Sequence, residues 1–556
     1  MTATANDLDW WRDAVVYQVY IRSFADGNGD GTGDVAGLRS KLDHLARLGV
    51  DAIWINPWYP SPLADGGYDV ADYRAINPSF GDTAEAEALL REAHDRGIRV
   101  LLDIVPNHHS DEHAWFRAAL AAAPGSPERE RYIFRDGRGP NGEEPPNNWE
   151  SMFGGPAWTR VDDGQWYLHL FDVRQPDVNW DAQEIREDFE TTLRFWFDRG
   201  VDGFRVDVAN SMIKEPGLPD LVEGVNDEQD GNHPYLDRDG VHDVFRSWRA
   251  IADSYHPPRV FVAEAWVPDA ERLARYLRPD ELQTAFSFNF LRAAWLAPDL
   301  RDNISEALAE NAAVGAPATW VLSNHDVARH VSRLARKPET GRGYTVDDII
   351  DLPADLDTGI RRARAATLLM LALPGTAYLY QGEEFGLPEV EDIPEELLDD
   401  PTWERSGHTR RGRDGCRVPL PWAADEPSFG FSARSRSAGA ALAAPAWLPQ
   451  PDVFAAHAAD RMESDPDSIL HLYRDALAIR RAHPALGGDA SDGELSWQDS
   501  PEGTLAFARE PGFTALVNVS SSPVSLPEDA EILLVSAPLT ANGSLPADTT
   551  VWLRTG

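Results

Sequence analysis

Val201-Asp-Gly-Phe-Arg-Val-Asp207 is a short apolar run that ends in an acidic residue, and the chain repeats this pattern twice. Val260 to Ala263 precedes Glu264, and Trp320 to Leu322 lies shortly before Asp326. Such short apolar runs predict buried parallel strands. In a (β/α)8 barrel, the residues just after the strands converge on one mouth, where the chemistry takes place. The three acids are therefore predicted to share one site.

Convergent carboxylates suit glycoside chemistry. A retaining glycosidase uses one carboxylate as nucleophile and one carboxylic acid as proton donor, roughly 5 Å apart. Arg205 lies two residues before Asp207, so both side chains point to the same face of a strand and the guanidinium favours the ionised carboxylate. Asn324 and His325 precede Asp326 and add neutral groups that can bind sugar hydroxyls. Each acid alone would be a loop residue or a helix cap, but these neighbours favour catalysis.

Apolar strands alternate with helical stretches along most of the chain, which predicts an α/β fold, a TIM (β/α)8 barrel. The sixth strand is predicted near Thr284 to Phe288. Residues 107–174 follow the third strand, are rich in Pro, Gly, Asn and Trp, and are too long for a loop, so they predict an inserted B domain. We expect the barrel to comprise residues 1–106 and 175–484 with an extra subdomain at about 386–455, and a C-terminal antiparallel β-sandwich to comprise 485–556.

Composition limits the class of partner. The formal charge of −41 repels phosphates and argues against nucleic acid and anionic membranes. The first ten residues lack the pattern of a secretory signal, and no apolar run reaches the length of a membrane span. Cys416 is the only cysteine, which excludes an intramolecular disulfide. We expect a cytoplasmic protein, a monomer or small homo-oligomer, that acts on a neutral small molecule.

The loop after the first strand carries an oxygen donor at every second position, with glycines between them. Alternating Asp and Asn on a glycine-rich turn can wrap a hard cation such as Ca²⁺, which takes roughly six to eight oxygens. The loop is not an EF-hand, because its twelfth position would be Gly37 and not the bidentate glutamate. A solvated acidic turn is the alternative. The predicted structural metal site comprises Asp26, Asn28, Asp30, Thr32 and Asp34.

Four segments, in order, resemble the classical regions of glycoside hydrolase family 13, the α-amylase superfamily. They are Asp-Ile-Val-Pro-Asn-His at 103–108, Gly-Phe-Arg-Val-Asp at 203–207, Glu264 after Phe-Val-Ala, and Ser-Asn-His-Asp at 323–326. Two further segments are similar to its α-glucosidase and oligo-1,6-glucosidase branch. These are Gln-Pro-Asp-Val-Asn at 175–179 and Tyr-Gln-Gly-Glu-Glu at 380–384.

The resemblance implies a role for each acid. Asp207 would be the nucleophile, Glu264 the acid/base, and Asp326 the carboxylate that distorts the sugar and binds its hydroxyls. It also implies that Arg417 closes the pocket for the terminal glucose, with Arg413 as the alternative. The implied metal is calcium, and magnesium is possible. The residues implied to line the pocket are Asp65, Tyr68, His108, Arg205 and His325.

These roles predict an exo-acting, retaining α-glucosidase that releases glucose from the non-reducing end of short α-glucosides by double displacement. Glu264 would begin protonated, its pKa raised by burial or by the charge on Asp207. Val208 resembles α-1,6-acting members, whereas Ala-Glu-Ala-Trp at 263–266 resembles actinobacterial-type α-glucosidases that favour α-1,4 bonds, so the linkage stays open. A transglucosylase or a sucrose or trehalose isomerase would use the same residues. The presence of all three carboxylates disfavours a non-catalytic binding protein with this fold.

Overall fold

The computed structural model describes residues 8–222, 233–337, 343–432, 444–487, 494–527 and 530–555. Its centre is an eight-stranded parallel sheet, in which the strands meet in the order β7-β8-β1-β2-β3-β4-β5-β6. The strands are β1 (Val15–Val19), β2 (Ala52–Ile55), β3 (Arg99–Ile104), β4 (Gly203–Val206), β5 (Val260–Ala263), β6 (Thr284–Ala285), β7 (Thr319–Val321) and β8 (Thr376–Tyr380).

The sheet closes almost completely into a barrel. The Ser287 N–H, just after β6, donates to the Thr319 carbonyl at the start of β7 over 2.9 Å, across the gap between the edge strands. Every residue of β1, β2, β4 and β5 is buried, as expected for strands covered on both faces. The predicted barrel is therefore confirmed. β6 is shorter than predicted because the chain turns at Phe288 into the helix Phe288–Arg292.

Helices surround the barrel and alternate with its strands. Gln183–Phe197, before β4, buries Ile185, Phe189 and Leu193 on one face. The other helices are Ile21–Phe24, Val35–Ser40, Leu42–Leu48, Thr83–His94, Ala114–Ala121, Pro127–Glu130, Val241–Asp253, Ala270–Tyr276, Ala297–Ala313, His330–Leu334, Val346–Ile349, Leu356–Ala372, Pro401–Arg405, Ala459–Ser464 and Ile469–Ala482, with short 3₁₀ turns at Trp10–Arg12, Glu383–Phe385, Glu395–Leu397, Asp414–Arg417, Pro427–Gly430 and Asp452–His457.

The segment between β3 and the helix Gln183–Phe197 forms a small layer of its own. It contains a three-stranded antiparallel sheet of Phe134–Asp136, Gln165–Leu168 and Trp158–Arg160, with Gln165–Leu168 in the middle. Trp149, Trp158 and Leu168 pack in a hydrophobic cluster separate from the main core. This insertion after the third strand contributes Phe153 and Phe171 to the pocket described below.

The C-terminal part is a five-stranded antiparallel sheet of β9 (Leu495–Gln498), β10 (Thr504–Arg509), β11 (Phe513–Asn518), β12 (Glu531–Val535) and β13 (Thr549–Arg554), in the order β9-β10-β11-β13-β12. One face joins the main core through Phe507, Phe513 and Trp552. The opposite face is covered by segments linked through a bridge between Val524 and Leu545. Trp552 Nε1 donates to the Leu368 carbonyl over 3.0 Å, which attaches the sheet to the helix Leu356–Ala372.

Gly203 allows β4 and β5 to approach closely. A Cβ atom at this position would lie 2.2 Å from the Val260 carbonyl oxygen, well inside van der Waals contact. The close register pairs Val206 with Ala263, so the residues that follow the two strands emerge side by side. Among the described residues, no helix combines the length and apolar character needed to cross a membrane.

Candidate active site

Asp207, Glu264 and Asp326 line a single pocket at the carboxyl end of the barrel. Asp207 and Glu264 directly follow β4 and β5, and Asp326 lies in the loop after β7. The pocket encloses about 230 Å³, less than the roughly 300–1,000 Å³ of clefts that hold drug-sized ligands. The other predicted residues that line it are Asp65, Tyr68, His108 and His325, whereas Arg205 and Arg417 are absent from its lining.

Arg205 connects the two catalytic candidates from behind the pocket wall. Its Nη1 lies 2.5 Å from Asp207 Oδ1 and 3.0 Å from Asp103 Oδ1, and its Nη2 lies 2.5 Å from Glu264 Oε2. One guanidinium carries a single positive charge against three buried carboxyl groups, so ionising all three at once is unfavourable. A glycosidase needs this condition, with one acid ionised and its partner protonated.

Burial raises the pKa of Asp207 well above its usual range; Arg205 opposes this rise, and the charges of Glu264, Asp103 and Asp326 add to it. Burial likewise raises the pKa of Asp103 to about 6 against the effect of Arg205. Asp207 and Glu264 bind the same guanidinium, so a change in the charge of one carboxyl group acts on the other through Arg205. The sequence predicted a raised pKa for the acid/base, Glu264, and this stays a prediction. The effect of burial that the structure shows falls on Asp207, the nucleophile candidate.

Tyr68 and His325 form one side of the pocket. Their rings stack with centroids 5.1 Å apart and an interplanar angle of 7°. The Tyr68 hydroxyl donates to Asp103 Oδ2 over 2.9 Å, and His325 Nδ1 lies 2.7 Å from Gln18 Nε2. Burial lowers the pKa of His325 well below its usual value, so the ring is neutral. Both rings are held by polar contacts behind them and present a firm surface to a sugar.

Asp65 and His108 lie at another wall and share the amide of Gln175. Gln175 Nε2 lies 3.1 Å from Asp65 Oδ2 and 3.0 Å from His108 Nε2. His108 Nε2 also lies 3.0 Å from the Tyr68 carbonyl, and burial lowers the pKa of the imidazole. Gln175 lies in the segment that follows the inserted sheet, so this segment positions two predicted pocket residues at once.

Arg413, and not Arg417, is the arginine that lines the pocket. Arg413 Nη2 lies 2.6 Å from Asp65 Oδ1, its Nη1 lies 3.0 Å from Asp326 Oδ1, and its Nε lies 2.5 Å from Asp400 Oδ2. Arg417 reaches the same Asp326 Oδ1 at 3.1 Å from behind, while its Nε donates to the His325 carbonyl. The structure thus favours the alternative arginine for contact with substrate and gives Arg417 a supporting position.

Asp326 is the carboxylate with the strongest cationic surroundings. Burial opposes its ionisation, but the guanidinium groups of Arg413 and Arg417 outweigh burial and hold the pKa of Asp326 well below its usual value. His325 Nε2 lies 3.1 Å from Asp326 Oδ2. Asp326 therefore stays ionised and offers hydrogen-bond acceptors to sugar hydroxyls.

The remaining wall lies beside Glu264 and is aromatic. Trp266 and Tyr344 line the pocket, and the Trp266 ring stacks on Phe288 with centroids 3.9 Å apart and an angle of 4°. The Val208 N–H donates to Glu264 Oε2 over 3.1 Å, and Val208 has a φ of 35°. A β-branched residue in this region is strained, and such strain clusters at functional sites. Sequence reasoning missed this wall and the pocket residues Met152, Phe153, Phe171, Asn210, Ser211, Leu236 and Val327.

The predicted metal loop holds its carboxylates through backbone contacts. Both oxygens of Asp26 accept backbone N–H groups, and Asp34 Oδ1 accepts from Gly27 and Gly37. Asn28 Oδ1 accepts from Asp30 N, and Asp30 Oδ1 from Thr32 N. Burial raises the pKa of Asp34, and the charges of Asp26 and Asp30 add to the rise. Within the described ranges, no three His, Cys, Asp or Glu side chains form a group able to hold a metal ion.

The oxygen donors of this loop fit a hard cation in type. Each carboxylate oxygen has two lone-pair positions. Asp26 Oδ1 and Asp34 Oδ1 each accept two N–H groups and are filled, whereas Asp26 Oδ2 and Asp30 Oδ1 each accept one backbone N–H and retain capacity for a metal ion. A site here would need the Asn28 amide and a backbone carbonyl in addition to the aspartates, because the acids alone do not form a cluster.

Comparisons with known proteins agree with this geometry. Residues 18–489 match the model of the α-amylase catalytic domain. A probable α-glucosidase of Rhizobium meliloti is 37% identical over 91% of this chain and 88% of its own length, and an oligo-1,6-glucosidase of Parageobacillus thermoglucosidasius is 35% identical over 86% and 84%. The crystal structure of an α-glucosyl transfer enzyme is 34% identical, with a TM-score of 0.82 over 98% of this chain and 99% of the other.

Proposed function

Because the chain belongs to the α-amylase family of glycoside hydrolases, we propose that it is an exo-acting, retaining α-glucosidase for short α-glucosides. The observation that carries this proposal is the pairing of Asp207 and Glu264 on the guanidinium of Arg205, inside a pocket of about 230 Å³. The pocket has room for a terminal sugar ring, and Arg413 and Asp65, which both line it, are joined by an ion pair of 2.6 Å. A substrate therefore enters by its end.

The reaction proceeds in two displacements. Asp207 attacks the anomeric carbon while Glu264 protonates the departing glycosidic oxygen, and the glucosyl group becomes bonded to Asp207. Esterification removes the charge of Asp207, after which Glu264 accepts a proton from the water that releases glucose. Arg205 contacts both acids and counters the negative charge that passes between them. Two inversions retain the α-configuration.

Initial rates on maltose, isomaltose, sucrose and trehalose test this proposal, with the first-formed anomer of glucose followed by NMR. We expect α-glucose from at least one of these substrates. Inertness on all four, or a first product of β-configuration, would overturn the assignment. The rates also decide the linkage, since relatives include both an α-glucosidase and an oligo-1,6-glucosidase.

Transglucosylation is the second candidate, because the glucosyl intermediate reacts with a sugar hydroxyl as well as with water. The similarity to an α-glucosyl transfer enzyme supports it. The aromatic wall of Trp266 and Tyr344 beside Glu264 would hold an acceptor. Product analysis at increasing substrate concentration separates the two activities: a transferase accumulates longer or rearranged glucosides, whereas a hydrolase releases glucose throughout.

We also propose that the loop from Asp26 to Asp34 binds a structural cation, calcium or magnesium, with Asn28, Asp30 and Thr32. The alternating oxygen donors of the loop support this, and a bound cation would offset the repulsion between Asp26, Asp30 and Asp34. The ion would stabilise the loop after β1. It has no part in the two displacements.

The proposed setting is the cytoplasm, with the protein a monomer or small homo-oligomer that binds neither nucleic acid nor membrane. The charge of −41 supports the absence of anionic partners, and the free thiol of Cys416 is compatible with a reducing compartment. Cell fractionation and light scattering after size-exclusion chromatography test these points. Recovery from the membrane fraction would contradict the proposed setting.

A further inference from the structure

Trp266 contacts the acid/base directly, although the reaction as described gives it no role. Its Nε1 donates to Glu264 Oε1 over 3.2 Å. The ring stacks on Phe288 with centroids 3.9 Å apart, and the Tyr344 ring lies near it, with centroids 6.0 Å apart and an interplanar angle of 24°. Asn210 Nδ2 donates to the Trp266 carbonyl and anchors the backbone. Contacts of the ring with Phe288 and Tyr344 and of the backbone with Asn210 therefore hold the indole N–H against one oxygen of Glu264.

The two oxygens of Glu264 have different surroundings. Oε2 accepts from Arg205 Nη2 at 2.5 Å and from the Val208 N–H at 3.1 Å, which occupies both of its lone-pair positions. Oε1 accepts from Trp266 and retains one lone-pair position. The proton that Glu264 exchanges with the glycosidic oxygen is consequently carried on Oε1, the oxygen that Trp266 contacts.

We propose that Trp266 is a positioning residue that makes Glu264 a stronger proton donor by binding its conjugate base. This inference rests on the proposed α-glucosidase activity. When the Oε1–H bond breaks, the proton passes to the glycosidic oxygen and the electron pair stays on Oε1. The Trp266 hydrogen bond then becomes charge-assisted and roughly twice as strong. An interaction that strengthens as the proton moves lowers the barrier of that step.

Other charged groups also act on Glu264. Arg205 on β4 contacts it directly, Asp207 contacts the same guanidinium, and Asp103 on β3 reaches that guanidinium from the far side. None of them contacts Oε1 in the described residues. Removing the indole N–H therefore changes the acidity of Glu264 while these groups stay in place.

Trp266→Phe tests the proposal, because phenylalanine keeps a ring against Phe288 and removes the N–H group. The readout is the dependence on the leaving group. We expect kcat/KM on the preferred disaccharide to fall about tenfold or more, the usual effect of losing a hydrogen bond to a charged group. We expect kcat/KM on 4-nitrophenyl α-glucoside to change less than about threefold, because its leaving group needs little protonation. The alkaline limb of the pH profile should move upward, since Glu264 becomes a weaker acid.

Trp115→Phe is the matched control, since Trp115 is a half-buried tryptophan on the helix Ala114–Ala121, outside the pocket. Trp115→Phe should leave kcat/KM on both substrates unchanged. Equal losses on both substrates in Trp266→Phe would show a merely structural role and overturn the proposal. Should Trp266→Phe fail to fold, the ¹⁵N-indole resonance of Trp266 in the wild type provides the second measurement. It should titrate together with the acidic pair, and a resonance indifferent to pH would overturn the proposal.

The two hypotheses fail separately. A wild-type enzyme that cleaves no α-glucoside refutes the proposed function. A wild-type enzyme that cleaves them, with a Trp266→Phe variant equally impaired on both leaving groups, refutes only the role of Trp266.

Discussion

Arg413 Nη2 lies 2.6 Å from Asp65 Oδ1, although 348 positions of sequence separate the two residues. The same guanidinium contacts Asp326 and Asp400. Four segments of the chain therefore meet at one cation beside the pocket. Burial disfavours ionisation of Asp326, and Arg413 is among the groups that keep it charged.

Arg413→Ala should lower kcat/KM on α-glucosides by about 100-fold or more. Truncating one partner of a buried, hydrogen-bonded charge pair weakens recognition by roughly 2–5 kcal/mol, because the carboxylates are left uncompensated. About one-fifth of the Arg413 side chain is exposed to solvent, which places the expected loss of kcat/KM at the lower end of this range. Steady-state kinetics measures it. Arg405→Ala is the control, because Arg405 contacts the Gly154 carbonyl outside the pocket. Activity of Arg413→Ala within a few fold of the wild type would contradict the proposed recognition of the terminal sugar.

Asp207→Asn should abolish turnover and leave the protein folded, with no loss of stability at pH 7. The amide cannot attack the anomeric carbon. Burial raises the pKa of Asp207, so ionising it costs free energy in the folded state, and a neutral amide avoids that cost. Residual rates and Tm provide the measurement, with Asp198→Asn, outside the pocket, as the control. Substantial hydrolysis by the purified, folded variant would remove Asp207 from the nucleophile role.

Glu383→Gln should flatten the dependence of stability on pH. Burial raises the pKa of Glu383 from 4.5 to about 8. Between these values the unfolded chain has released the proton that the folded protein holds, so this group makes stability fall as pH rises from about 4.5 to 8. Glutamine does not ionise. Tm measured across this window should therefore fall less in the variant, whereas exposed Glu395→Gln should follow the wild type. If the plots of Tm against pH for the wild type and Glu383→Gln run parallel, the raised pKa of Glu383 is contradicted.

Chelation should lower the Tm of the wild type if the loop from Asp26 to Asp34 holds a cation. A ligand at 100 times its Kd stabilises the folded state by about 2.7 kcal/mol. Asp30→Ala removes one oxygen donor, so its Tm should be lower in calcium and insensitive to EDTA. Asp95→Ala, an exposed acid after the helix Thr83–His94, is the control. An unchanged wild-type Tm in EDTA would argue for a solvated acidic turn.

The strand-end acids were predictable because barrel topology relates sequence position to spatial position. Asp207 and Glu264 follow strands whose apolar runs are continuous, and parallel strands place the residues after them at one edge. β6 was harder to define, since only Thr284 and Ala285 pair before the chain turns into a helix. Its two residues give no periodicity to detect.

The choice between Arg413 and Arg417 shows where sequence reasoning ended. Arg413 precedes the 3₁₀ turn Asp414–Arg417 and Arg417 is its last residue, and both contact Asp326 Oδ1. Only the placement of Asp65 and Asp400 decides which of them lines the pocket, and that placement depends on contacts between distant segments. Trp266 belongs to the segment Ala-Glu-Ala-Trp at 263–266, yet its contact with Glu264 depends on its packing against Phe288, which the sequence does not show.

Attachment of the C-terminal sheet to the helix Leu356–Ala372 affects the order of assembly during synthesis. The Leu368 carbonyl receives its N–H partner from Trp552, a residue added 184 positions later. At about 5–20 residues per second, that interval lasts roughly 10–40 s on the ribosome. Throughout it, the helix Leu356–Ala372 lacks the β13 strand that packs against it in the finished fold, so overexpression should depend on chaperones that shield this face until translation has passed β13.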